Sequence, residues 1–153
     1  MTDESDVKST IRPSRSMFVS VAVLIVWAGL TAARFWPTSA LSWHFFRDGG
    51  TSLFGTDGLH LYANNSGLQI GPIAFVVSGV LGLLGTTGAR ITAQLLMTAV
   101  GPLCIALLAP ALPGRLRGRR VFLAAFVLIP GWTILSVRWA HLDDVLAMLF
   151  AIL

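Results

Sequence analysis

Arg138-Trp139-Ala140-His141-Leu142-Asp143-Asp144 (residues 138–144) is a polar island between two apolar runs, one ending at Val137 and the next starting at Val145. Its position relative to a membrane determines how the rest of the chain is threaded. Beyond the N-terminal tail the acidic residues are Asp48, Asp57, Asp143 and Asp144. The histidines, His44, His60 and His141, fall in the same two regions, 42–62 and 141–144. Ionisable groups beside hydrocarbon are costly and tend to be retained for function. The expectation is that these two regions meet on one side of a membrane and form a site.

The composition supports the membrane reading. Of 153 residues, 55% are hydrophobic and 12% charged, and the mean hydropathy is +0.77. Several runs approach or exceed the roughly 18 apolar residues that mark a spanning helix. The net charge of +4 does not imply nucleic acid, because the basic residues coat no face. They gather at Lys8, Arg12 and Arg15, and again at Arg115, Arg117, Arg119 and Arg120. Juxtamembrane clusters of this kind set orientation and touch anionic headgroups. Cys104 is the single cysteine, which excludes an internal disulfide and reads as a small core residue.

Taken in order, residues 1–16 read as a flexible cytoplasmic tail and residues 17–153 as a transmembrane domain. Its apolar runs are 17–36, 69–85, 89–112, 121–137 and 145–153. Basic residues before the first run put the N-terminus in the cytoplasm. Residues 37–68 form an outer loop of short interfacial pieces, with Trp43, Phe45, Phe46, Phe54 and Tyr62 at headgroup level and Gly49-Gly50, Gly55 and Gly58 as turns. The last run stops partway through a helix, so a fragment of a longer chain is expected.

Counting every complete run as a crossing puts the arginine connector (residues 112–120) outside, against the positive-inside rule. The run 69–85 is short, rich in glycine and opens on Gly71-Pro72. Read as re-entrant or interfacial, it returns the connector to the cytoplasm. The island then emerges on the outer side with the first loop. Trp36, Trp43 and Trp139 read as one interfacial belt consistent with this.

Each candidate residue has a plainer reading beside the functional one. Asp143 and Asp144 can serve as helix N-terminal acids, yet one is enough and two adjacent ones repel, so a site is preferred with Asp143 foremost. Asp48 can take the proton of an attacking hydroxyl or pair with Arg47 as a loop charge. Asp57 reads first as turn chemistry. The histidines can join the acids around a divalent cation, although their spacing matches no closed metal motif. Arg138 and Arg47 can bind phosphate through the guanidinium fork, against snorkelling for the first and a local ion pair for the second.

The order Trp43-His-Phe-Phe-Arg-Asp48-Gly49-Gly50, Phe54-Gly55, Leu61-Tyr62 and Gln69-Ile70-Gly71-Pro72, then a basic connector, one helix and His141-Leu142-Asp143-Asp144, resembles the N-terminal part of GT-C glycosyltransferases. The type it resembles is the polyprenyl-phosphate-sugar-dependent, mannosyltransferase-like one of actinobacteria. The resemblance implies an all-α, multi-pass helical bundle in the plasma membrane. It implies transfer of a sugar from a polyprenyl-phosphate donor to a glycan or glycolipid acceptor at the outer face. Carried across, Asp48 is the candidate base or acceptor binder, Tyr62 and Pro72 hold structural positions, and His141 and Asp143 match the later element. Asp48 and Asp143 are thus the catalytic candidates, and His141, Asp144, Arg138, Arg47 and Tyr62 the substrate-binding ones. The family's principal aspartate lies earlier in its loop, near Ser42, where this chain has no acid. The chain resembles about the first third of such enzymes. The rival expectations are a small non-catalytic multi-pass subunit and a transporter segment with Asp143 and Asp144 as a relay.

Overall fold

A computed structural model describes residues 15–153 except 57, 67–68 and 109–116, and among these every regular element is helical. They are α1 (Arg15–Phe35), a 3₁₀ turn (Trp36–Thr38), α2 (Trp43–Leu53), a second 3₁₀ turn (Gly58–His60), α3 (Leu61–Asn64), α4 (Pro72–Gly82), α5 (Gly85–Leu108), α6 (Arg117–Thr133), a π turn (Ile134–Trp139) and α7 (Leu142–Ile152).

Two helices are long and apolar enough to cross a membrane, Gly85–Ile105 and Gly118–Trp139. The 11 residues of α4 reach only about 16 Å, half of a hydrocarbon core of about 30 Å. The run 69–85 therefore has no helix able to cross by itself. Several boundaries move. Thr86-Thr87-Gly88, expected as a separator, lie in the first turns of α5, and the turn before them is made by Gly85 at φ +75°. The last helix starts at Leu142 rather than Val145, and Arg15 and Ser16 of the expected tail are already helical. Helical bonding runs through backbone groups and ignores polarity, so a helix can start before the apolar run that marks it, as α1 and α7 do. Residues 1–14, Asp57 and Arg115 lie outside the described residues.

Helix directions follow from paired contacts. The Trp27 indole stacks on Phe126, and further along both chains the Ala40 amide bonds the Val137 carbonyl, so α1 and α6 run parallel. Helix α5 runs antiparallel to α6, since Trp132 reaches Met97 while Gln94 reaches Val137. The starts of α1 and α6, with exposed Arg119 and Arg120, thus share one end of the bundle. The chain entering α2 and the chain entering α7 share the other.

Two prolines help join the helices. Pro130 has no N–H for the carbonyl four residues back, and that free Phe126 carbonyl accepts the Trp27 indole N–H at 2.9 Å. Pro102 likewise frees Thr98, whose carbonyl accepts the Trp132 indole N–H at 3.2 Å beside Met97 at 3.0 Å. In a lipid-facing bundle such neighbours re-satisfy a backbone that proline has interrupted.

Gly49 and Gly50 make no turn; this corrects the sequence expectation. Both are buried inside α2 against α4. A Cβ on Gly50 would lie 2.6 Å from Ser78 Oγ and 2.7 Å from Gly79 N, and one on Gly49 would enter the Phe75 ring. The glycines let two helix backbones touch, and the Ser78 hydroxyl donates across that contact to the Phe46 carbonyl at 2.6 Å. Trp43 and Phe46 from α2 then join Ala74 of α4, Ala89, Ala93 and Met97 of α5, and Ala140, Leu142 and Val145 in one core.

Candidate functional site

The polar end is assembled around a helix terminus. The last turn of a helix leaves carbonyls without partners. Here the carbonyls of Val137, Arg138 and Trp139 accept the amides of Ala40, Leu41 and Ser42 at 2.9, 3.0 and 2.9 Å. Two alanines make this junction possible by taking left-handed conformations, Ala40 at φ 60° and Ala140 at φ 55°. Each costs on the order of 1–2 kcal/mol, which the three backbone bonds, at about 1 kcal/mol each, offset. The backbone entering the first loop, residues 40–42, is therefore in direct contact with residues 137–139; the acids and histidines of residues 42–62, expected to meet the island, are not part of that junction.

The side chains of the island form a tight group. His141 Nδ1 lies 2.9 Å from Asp144 Oδ2, and ligand atoms of His141, Asp143 and Asp144 all fall within 4.8 Å of one another. His141 is the N-cap residue of α7, and no side chain bonds the free amides there. The acids therefore do not cap α7 through their oxygens, although its N-terminal dipole favours them. Asp143 Oδ1 is buried without a hydrogen-bond partner. Imidazole plus carboxylates is a donor set that suits divalent ions. The 2.9 Å spacing of Nδ1 and Oδ2 matches the edge of an octahedron with ligands at about 2.1 Å. Asp143 and Asp144 open on a cleft of about 370 Å³ shared with Gly71, Pro72 and Ile73.

Asp48 does not join them. On α2 the buried face carries Trp43, Phe46, Gly49 and Gly50, and Asp48 points away from it. Its carboxylate is exposed and held by Arg47 at 2.8 Å. Arg47 lines a different cleft, with Thr51, Phe54, Ser78 and Gly79. Tyr62 is structural in its contacts: its hydroxyl donates to the Ile70 carbonyl at 2.8 Å, tying α3 to the start of α4, and burial pushes its phenol pKa up. His44 turns back to the Leu41 carbonyl at 3.1 Å, and His60, itself exposed, ends the second 3₁₀ turn. Of the three histidines, His141 alone is grouped with acids among the described residues.

Arg138 is half-buried, its Nε has no partner, and its guanidinium sits 5.6 Å over the Trp139 ring. Sequence analysis passed over a polar stripe on α5, Arg90, Gln94 and Thr98, spaced by four. Gln94 is fully buried and donates to the Val137 carbonyl at 2.7 Å, and Thr98 lies 3.3 Å from Ser136 Oγ. Spacing by four puts all three on one helix face. Arg90 is the single charged residue between Asp57 and Arg115. Both signals were available.

No family model, curated protein or solved structure matches this chain.

Proposed function

We propose that this chain is a multi-pass plasma-membrane protein that transfers a sugar, mannose foremost, from a polyprenyl phosphate to a glycan or glycolipid acceptor. The observation that carries the proposal is the junction of residues 40–42 with 137–139 between parallel α1 and α6. It gathers the polar side chains at the bundle end opposite Arg119 and Arg120. Positive charge holds that arginine end, and with it the N-terminus, in the cytoplasm, so the acids face outward. A proton relay at membrane depth fits less well, because Asp143 and Asp144 lie just beyond the end of a spanning helix.

In the reaction the acceptor hydroxyl attacks the anomeric carbon. The new glycosidic C–O bond forms as the C–O bond to the lipid phosphate breaks, and the electron pair leaves on phosphate. The hydroxyl proton passes to Asp143, whose side chain lines the cleft beside Gly71 and Pro72. His141 and Asp144 hold each other and fix the approach. A divalent ion held by His141 and Asp144 in place of their mutual bond would supply charge for the leaving phosphate and leave Asp143 as the base. Asp48, exposed and paired with Arg47, takes the outlying role of acceptor contact, and Tyr62 keeps the α3–α4 corner in shape.

The test uses the full chain in proteoliposomes with labelled polyprenyl-phosphate mannose. Asp143→Asn is expected to lower kcat by about 100-fold or more, the usual worth of a general base. Asp48→Asn is expected to raise the acceptor KM with kcat nearly unchanged. Unaltered turnover in Asp143→Asn would remove that residue from the mechanism. The second reading, a non-catalytic membrane subunit, draws on the exposed apolar side chains of Ile73, Val76, Val80, Leu83 and Leu84 along α4 and its turn. Absence of any transfer by the wild-type chain, with co-purification of a stable membrane partner, would favour it.

A further inference from the structure

Helix α4 is apolar on two sides. The helix packs on α2, α5 and α7, with Ala74, Phe75 and Ser78 buried. On the opposite face Ile73, Val76, Val80 and Leu83 are exposed, Leu83 by 86%. Their spacing of three, four and three is the repeat of a two-helix seam, narrower than a core-facing stripe. The segment from Pro72 to Leu84 carries no charge. An apolar face needs no protein cover inside hydrocarbon, so its height along the bundle matters. Gln94 bonds Val137, two residues short of the Trp139 end of the α6 span, yet lies about nine residues inside the Gly85 start of α5. With the two helices antiparallel, the start of α5 overshoots the end of α6 by roughly 10 Å. Leu83, in the turn before Gly85, is carried past the hydrocarbon that α6 crosses, where an exposed apolar face is costly.

The two ends of this face carry opposite charge. Asp143 and Asp144 line a cleft with Pro72 and Ile73 at the start of α4. Arg47 lines another with Gly82 and Leu83 at its finish. Arg47 gives Nε and one terminal nitrogen to Asp48, and a guanidinium has five donors, so others stay open. Asp144 is exposed and meets His141 through Oδ2. The seam is also self-complementary. Laid antiparallel on a copy of itself, with the two-fold axis level with Ser78, Ile73 meets Leu83 and Val76 meets Val80. The acid-bearing end of each copy then lies against the arginine-bearing end of the other. A parallel pairing would set arginine against arginine and acid against acid. Isologous two-fold contacts of this kind are the commonest in homo-oligomers.

We infer that two copies of this chain pair through α4 in an antiparallel, two-fold contact, with Arg47 of each copy beside Asp144 of the other. The second copy thereby brings an arginine to the cleft of Asp143 and Asp144, whose own lining residues include no lysine or arginine. Symmetry gives the contact two such ion pairs, one at each end of the seam. Phe54, exposed beside Val80 and Leu83, widens it. The pairing goes beyond the transfer reaction and stands without it.

The test starts in native membranes, with two differently tagged copies of the full chain expressed together and oxidised. Ile73→Cys with Leu83→Cys, and Val76→Cys with Val80→Cys, are expected to form mixed disulfides. Ile73→Cys with itself is not, because ten residues of helix, about 15 Å, part the two sites in an antiparallel pair. Native Cys104 is buried and should not compete. The mass of the wild-type chain in detergent is expected to be that of a dimer, and Val80→Asn, at an exposed position, should weaken dimerisation about tenfold or more. Arg119→Gln, at the opposite end, should leave it unchanged. Arg47→Glu and Asp144→Arg should each weaken it about fivefold, and both changes in one chain should restore it to within about twofold. Misfolding cannot mimic that rescue. A monomer at every concentration without these crosslinks would overturn the inference, as would Ile73-to-Ile73 disulfides in equal yield or failure of the charge exchange to rescue. A different protein crosslinked to α4 in place of a second copy would give the face to a heteromeric partner and sink the assignment.

Discussion

Ala140 is completely buried with φ 55°, and the amides of Ala140 and His141 both turn back to the Leu135 carbonyl. A small side chain is needed there, because left-handed backbone tolerates no β-branching. Ala140→Val is therefore expected to destabilise the chain by about 3 kcal/mol or more, combining backbone strain with overpacking. Ala40→Gly, at the half-buried partner position with φ 60°, should stabilise it by about 0.5–1 kcal/mol, since glycine takes that conformation freely. Thermal unfolding in a fixed detergent reads both. Equal effects at the two positions would show that the junction is not the strained point described. At this scale the sequence was partly informative. His141, Asp143 and Asp144 were identified together from adjacency alone. Arg90 and Gln94 are neither acids nor histidines, the residue types that mark the other candidates, although one cation in a long uncharged stretch is itself a marker.

Helix pairing uses a device that neither proline nor tryptophan reveals in isolation. Pro130 frees a carbonyl for Trp27, and Pro102 frees one for Trp132. The prediction is a double-mutant cycle on the first pair. Trp27→Phe alone should lose about 1 kcal/mol of stability beyond the ring's change in packing. In the Pro130→Ala background the Phe126 carbonyl regains a helical donor, and the cost of Trp27→Phe should fall by about the same amount. Additive effects would mean that the indole bond contributes nothing specific. The α2–α4 contact follows similar logic. Four glycines near Phe54 read as turns from composition, yet Gly49 and Gly50 sit inside a helix because Phe75, Ser78 and Gly79 of α4 press against them. Which glycine serves a turn and which a close approach depends on the neighbour, and the neighbour is remote in sequence.

For the molecule as a whole the central prediction is topological. With α1 and α6 parallel, a cysteine at position 119 and one at position 144 should lie on opposite sides of the membrane. An impermeant thiol reagent added outside intact cells should label the variant Asp144→Cys and spare Arg119→Cys. Native Cys104 is buried, only 3% exposed, and should give little background. The reverse pattern would invert the bundle and rule out the proposed outer-face reaction. Labelling of both sites would break the parallel arrangement.

The amino-acid order alone determined the all-helical, membrane-compatible class, the two polar regions and the shortness of the 69–85 segment, because hydropathy and charge act locally and add along a chain. It could not decide which polar groups share a site. Asp48 and Asp143 looked equivalent as carboxylates in one compartment, but the rotation of α2 turns Asp48 outward and leaves Asp143 in its own cleft. That rotation is set by glycine-to-backbone contact with α4, and the meeting of residues 40–42 with 137–139 by open carbonyls at a helix end. Both are directional contacts between distant residues. They exist only once the helices have docked.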